Sequence, residues 1–427
     1  MLKTKKGKSS DIAADKWPVK IQTHFYILIL SCVILITRRP DVFFHPQLWA
    51  EDGAVFLLQV WNGDVLGSIL TPRDGYFQTL PKVTMAFASI FDLNYVAFIS
   101  VAIATSIRLA FIAFILSSRL NNFDIKLRIL FVLYYLLQPN VQEGYINITN
   151  THTYLAIYLL AIIISDEPKN KLSKTHDLIV LALSGVSGPF VALLAPSLAL
   201  KRLYQHSGLF SALKKINAFD LVFSLCLIIQ ASSVFFGDFS RTKTPLGASL
   251  PLFFDIFSYK IIFGSFIDLK FANWVFGKQL MNAGLTCILI AAVIHAFIKT
   301  GWHSKSIITY IAFSVSVSLY KPVISQSGDQ WPLLFSPIVG SRYFIITGMG
   351  LFCLVMYYLF YVLKNNIAIT LATLSVIFVC LCFSYRMPRL DNVGYSEDVK
   401  TYNKASIGEE VTIRINPPGW AVKLIKN

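Results

Sequence analysis

Charge is what this sequence has least of. Charged residues make up 14% of its 427 positions, against 55% hydrophobic ones. A soluble globular domain carries about a quarter charged residues, so an ordinary soluble fold is excluded. Acids are scarcer than bases: 23 Asp and Glu face 38 Lys and Arg, a net charge of +15. That excess does not mark a nucleic-acid partner, because the basic residues are scattered through loops rather than gathered on one face. The six cysteines (Cys32, Cys226, Cys287, Cys353, Cys380, Cys382) fall inside apolar runs without metal-ligand spacing. They therefore predict ordinary apolar packing and no metal centre. Walker loop, dinucleotide fingerprint and HExxH are all missing, as are internal repeats.

What is present is hydrocarbon. Apolar runs recur near 22–37, 94–116, 127–139, 153–165, 178–200, 219–236, 280–298, 306–320, 343–363 and 366–383. Several match the roughly 20 residues that cross a bilayer core of about 30 Å. The chain reads as an all-α polytopic membrane protein. A basic head over 1–21 precedes a membrane region over 22–383 with large outer loops at 38–93 and 237–279. A tail over 384–427 follows. The head runs into "FYILILSCVILIT", an uncleaved anchor lacking a small-residue cleavage site. Lys and Arg are dense in 1–20, 117–128, 166–177, 201–218, 299–305 and 364–366, which places those segments in the cytoplasm. Segments 38–93, 140–152, 237–279, 321–342 and 384–427 fall on the far side. A single crossing by "LIVLALSGVSGPFVALLAPSLAL", 178–200, would put the basic loop after it outside. Gly185, Gly188, Pro189 and Pro196 break that run. A re-entrant hairpin or two short helices, giving nine to eleven spans, returns the chain to the cytoplasmic side. Broken backbone at that depth is tolerated where it is packed in protein or lines a cavity. In the tail, Val411, Ile413 and Ile415 alternate with polar residues before the turn Pro417-Pro418-Gly419, which predicts a small β-hairpin.

Against this background the stretch "HPQLWAEDGAVFLLQ", 45–59, stands out. It sets Glu51 and Asp52 side by side just beyond the first span. Acids favour the first turn of a helix, which is one explanation. The other is a general base at the membrane surface, where a carboxylate held within reach of an alcohol accepts its proton. In "EGYINITNTHTY", Glu143, Asn147, Asn150 and His152 converge. In "SPIVGSRYF", Arg342 and Tyr343 sit at the outer mouth of a span. The arginine either snorkels to the headgroups or clamps a phosphate. Lys321, Arg241, Lys243 and Lys82 are further far-side cations. Arg108, inside the second span, is expected to snorkel toward the cytoplasmic side.

A short basic head, one span and an outer loop opening on an acid pair resemble the membrane-embedded glycosyltransferases of the GT-C fold. Among them, the chain is most similar in architecture to phage-encoded serotype-converting O-antigen glucosyltransferases. That resemblance implies a bacterial inner-membrane enzyme with its N-terminus cytoplasmic and its C-terminus periplasmic. It implies transfer of a sugar, glucose in those proteins, from a polyprenyl-phosphate carrier to a lipid-linked polysaccharide, with a donor synthase and a flippase in the same pathway. By the same resemblance Asp52 is the base, and Glu51 is its substitute or an acceptor contact. Arg342, with Lys321, Arg241 and Lys82 in reserve, steadies the leaving phosphate. Tyr343, Asn150, His152 and Trp420 contact sugar or glycan. The resemblance settles no cofactor: a divalent metal serves part of that fold. A transporter or flippase would instead place its polar site near the bilayer midplane between repeats. A polymerase of lipid-linked saccharides would not need a first-loop acid.

Overall fold

The computed structural model describes residues 21–206, 208–236, 244–325 and 327–426. It is mostly helical, with one small two-stranded sheet. Three helices are long and apolar enough to cross a membrane: Leu93–Leu116, Gln279–Lys299 and Ser341–Val362. Shorter apolar helices include Gln22–Arg38, Thr151–Ile164, Ala218–Val234 and Ile367–Phe383. The cysteines are all free, and Cys287 and Cys382 face outward rather than into a core.

Helix starts follow side-chain caps. Asp92, Asp124, Asn170 and Asn366 each accept a backbone N–H from the first turn of the helix they precede. Such caps satisfy donors that would otherwise be orphaned. The helices pass between two ends of the bundle. At one end the basic loops meet. Arg119 binds Asp177 at 2.8 Å and the Asp166 carbonyl at 2.7 Å. Glu167 pairs with both Lys201 and Arg202 at 3.1 Å, and Arg202 also holds Asp220 at 2.8 Å. Loops 117–128, 166–177 and 201–218, which the charge pattern assigned to one side, therefore share one end.

The run 178–200 is broken at Gly185, Gly188 and Pro189, whereas Pro196, expected to break it too, lies inside the helix that follows. Helix Lys171–Gly185 ends there, and helix Phe190–His206 leads back. Gly188 takes φ +128°, which a side chain would strain. The turn docks on the first far-side loop. The Val186 carbonyl accepts from Thr79 N at 3.1 Å, and Ser187 Oγ accepts from Leu80 N at 2.9 Å. This turn therefore belongs to the end opposite Arg119, and Lys201 and Arg202 return to the Arg119 end.

The tail forms the predicted hairpin, β1 (Glu410–Ile415) antiparallel to β2 (Trp420–Ile425). It packs on the first far-side loop. Asn416 N donates to the Leu48 carbonyl at 3.0 Å, and the Asn416 carbonyl accepts from Ala50 N. Asn62 bonds the β2 backbone at Lys423 and Ile425. Gly53 lies under Ile415, so a Cβ there would stand 2.8 Å from its Cδ1. The hairpin thus braces the segment that carries Glu51 and Asp52.

Candidate active site

The loop between helices Ile125–Leu137 and Thr151–Ile164, which covers most of the segment 140–152, does not skim the surface. It dips into the bundle and is bolted by arginines. Arg38, 1% exposed, donates to the Leu136 carbonyl at 2.5 Å and the Gln138 carbonyl at 3.0 Å. Arg108 donates to the Gly144 carbonyl at 2.7 Å and lies 3.7 Å from the Tyr154 ring centroid. The snorkelling expected of Arg108 is therefore corrected. Its guanidinium turns inward, because a buried carbonyl and two tyrosine faces offer what headgroups would. Asn147 and Asn150 knit the loop internally. Both donate to the Glu143 carbonyl, at 2.7 and 3.1 Å, and Asn147 Oδ1 caps Asn150 N at 2.9 Å.

This loop presents donors to Asp52. Thr149 N donates at 2.8 Å and Ile148 N at 3.2 Å, and the Thr149 hydroxyl is a third partner. Asp52 is 2% exposed, and both of its oxygens are taken. Two non-glycine residues at positive φ bracket the contact. Ala50 stands at φ 35° just before the acid pair, and Ile146 at φ 50° just before the donors. Each conformation costs of order 1–3 kcal/mol and persists only where its surroundings enforce it.

Glu51 differs from its neighbour. It is partly exposed, and its charge acts on both Asp52 and Arg342. Arg342 is paired with Glu143 through its Nη1, and its backbone N–H donates to Glu143 Oε2 at 3.2 Å. Arg342 Nη2 donates to the Val323 carbonyl at 2.9 Å. Tyr343 holds the same segment, its hydroxyl accepting from Val323 N at 2.9 Å. The αL turn at Gly340, φ +68°, sets Arg342 at the start of its helix.

Glu51, Asp52, Asn150, His152, Arg342 and Tyr343 thus gather around one loop. His152 stands beside the Thr149 carbonyl and packs on Phe190, ring centroids 5.4 Å apart. Asn150 and Tyr343 bond protein backbone, which makes them framework rather than open contacts. Lys321 is exposed at the rim, two residues before Val323. Trp420 is 39% exposed on the tail, opposite Ile415. Lys82 is buried and donates to the Ser68 carbonyl at 2.7 Å and to that of Thr71, so its ammonium stitches the first loop together. Burial holds it down at about 8. Arg241 and Lys243 lie outside the described residues. Among the described residues no group of three or more His, Cys, Asp or Glu is placed to hold a metal ion.

Lys260 escaped the sequence reading. It is 3% exposed and donates to the carbonyls of Ser336 and Val339 at 2.7 and 3.1 Å. Burial lowers it to about 7, opposed by the charge of Glu143. Its signal was a lone base in the apolar stretch 250–267.

Burial pushes the Asp52 carboxyl up to about 7, while the Thr149 and Ile148 donors pull it down and Glu51 adds a further push up. The folded form therefore binds a proton more tightly than an unfolded chain, whose carboxyl titrates near 4. The stability this contributes is full below pH ~4 and is lost as pH rises toward 7. Thermal melts of the purified protein across that interval should show the wild type losing stability relative to Asp52→Asn as pH rises. A wild type that gains on Asp52→Asn would mean that the three donors outweigh burial.

Comparison of the chain with family models, with characterised proteins and with solved structures returns no match.

Proposed function

We propose that the chain is an integral-membrane glycosyltransferase of the GT-C kind. It moves a sugar, glucose by the resemblance drawn from its architecture, from a polyprenyl-phosphate carrier to a hydroxyl of a surface polysaccharide. The observation that supports this best is a partly exposed carboxylate, Glu51, whose charge reaches a guanidinium, Arg342, that Glu143 and the Val323 carbonyl hold in place beside a buried loop. In this reading the acceptor hydroxyl gives its proton to Glu51 as its oxygen attacks the anomeric carbon. The bond from that carbon to the carrier phosphate breaks, and the phosphate leaves with the electron pair. Arg342 balances the charge that grows on it. The configuration inverts.

The roles of the acid pair are exchanged relative to the sequence-based expectation. A base must touch the alcohol it deprotonates. Asp52 has no open face, so it positions the loop, and Glu51 takes the proton. Transport of lipid-linked saccharide is the weaker reading, because the cavity inside the bundle is walled mainly by hydrocarbon and offers a glycan few hydrogen bonds.

The same reading puts the Arg119 end in the cytoplasm and the Glu51 end in the periplasm of a bacterial inner membrane, with nine to eleven crossings. Reporters active on only one side, fused after residues 205 and 426, should report cytoplasm and periplasm respectively. An outside signal at 205 would overturn the two-helix return. Function is tested by mass spectrometry of surface polysaccharide from cells with and without the protein. A gain of one hexose per repeat unit is expected, and unchanged polysaccharide would refute transfer.

A further inference from the structure

A second site lies at the Arg119 end. A cavity of about 550 Å³ opens there among helices Leu93–Leu116, Ile125–Leu137, Thr151–Ile164, Trp302–Tyr320 and Ile345–Tyr357. This falls within the range of about 300–1,000 Å³ typical of ligand pockets. Its lining runs from Tyr361 to Ile346, roughly 20 Å along the helix axis at 1.5 Å per residue. Aromatic and aliphatic side chains wall its depth, among them Phe111, Phe131, Ile157, Ile311 and Phe352.

The mouth is chemically different. Arg128, Lys299 and His303 line it, and among the described residues no carboxylate does. Arg128 is 9% exposed, and its Nη atoms are held by Ser117, Ile115 and Asn121. Its Nε is buried without a partner among the described residues, so the guanidinium keeps hydrogen-bonding capacity that they do not use. Lys299 is exposed and makes no ion pair among the described residues. Two acids stand nearby: Asp124 caps Lys126 N at 2.7 Å and its charge acts on Arg128, and Asp166 accepts from Asn122 at 2.7 Å and its charge acts on His303, so among the described residues Lys299 is the mouth cation that no carboxylate is shown to offset. Trp302 stacks on His303, ring centroids 3.8 Å apart, and lies tilted against Tyr204 at 6.1 Å. Aromatics of this kind settle at headgroup depth.

We propose that this cavity holds one acyl chain of an anionic glycerophospholipid, with its phosphate at Lys299, on the Arg128 side of the mouth. The hydrocarbon walls match the chain, and the cationic mouth matches the phosphate. The amine of a zwitterionic headgroup would meet Lys299 unfavourably. The lipid fills the space beside the helix that carries Arg342. This inference depends on the chain spanning a membrane and not on sugar transfer.

The test is native mass spectrometry of the full chain in detergent, titrated with dipalmitoyl phosphatidylglycerol, dipalmitoyl phosphatidylcholine or polyprenyl phosphate. One phosphatidylglycerol should be retained in preference to phosphatidylcholine. Lys299→Ala should weaken it roughly fivefold, the worth of one interfacial cation, and Cys353→Phe, in the wall, should exclude it. The wild type supplies a measurement free of folding effects: phosphatidylglycerol should slow alkylation of Cys353. Equal retention of the two phospholipids, an unprotected Cys353, or unchanged retention by the variants would overturn the assignment. Preference for polyprenyl phosphate would make the carrier the occupant and overturn it as well.

Discussion

Glu51→Gln should abolish sugar transfer in a protein that still inserts and melts like the wild type, whereas Asp52→Asn should lose stability first. The two substitutions are chemically alike and adjacent, so their difference isolates geometry. Glu51 is partly exposed and faces the charge of Arg342. Its amide keeps the shape and cannot accept a proton, which should cost about 10²–10⁴ in rate. Asp52 is buried under three donors. An Asn there turns an N–H₂ toward a backbone N–H and leaves a donor unpaired, at about 1–3 kcal/mol. Less protein should survive a heat challenge, and the remainder should retain part of its transfer rate per folded molecule. Transfer kinetics normalised to folded protein decide the matter. A stable, inactive Asp52→Asn beside an active Glu51→Gln would return the base to Asp52 and require the 148–149 backbone to move aside for the acceptor.

Much of the frame was legible because it depends on local rules. Gly185, Gly188 and Pro189 fall within five residues, and so dense a group of helix breakers marks a turn, so the return at 178–200 could be read directly, whereas the isolated Pro196 did not end its helix. The alternation of Val411, Ile413 and Ile415 specified a strand with one buried face, and that strand is β1. The depth of the second far-side loop was not legible. Nothing local in "QPNVQEGYINITN" says that the Gln138 and Gly144 carbonyls meet Arg38 and Arg108, which lie more than thirty residues away. Burial of one acid and exposure of the next is likewise a tertiary matter. Neighbours in a tight helical start point in different directions, and only the docked loop decides which carboxylate is covered. The same limit hid Lys260, whose partners Ser336 and Val339 come from another loop. Lys82 misled for the converse reason: a far-side cation reads as a ligand contact until nearby carbonyls are seen to hold it.

Arg342→Ala should lower the maximal transfer rate by about 10²–10³, the usual effect of removing one pre-organised group that stabilises developing charge. The guanidinium is not idle before donor binds. Glu143 holds its Nη1 and the Val323 carbonyl one Nη2 hydrogen. Those bonds fix the plane of the guanidinium, and Nε–H is in neither of them. A carrier phosphate can therefore approach a cation that is already oriented. Charge on the phosphate rises as the bond to the sugar breaks, so the loss should appear in the chemical step more than in donor affinity. Arg342→Lys keeps the charge but loses the planar fork, and its rate should fall between those of wild type and Ala. Glu143→Gln separates positioning from charge. It removes the ionic partner that orients Arg342 while leaving the guanidinium in place, so it should raise the donor concentration needed for half-maximal rate and lower the maximal rate less than Arg342→Ala does. The measurement is transfer kinetics with purified protein and a synthetic lipid-phosphate sugar. If Arg342→Ala reaches the wild-type maximal rate at higher donor concentration, Arg342 only binds the carrier. The growing charge must then be met by Lys321 at the rim, and Lys321→Ala should show the loss in its place.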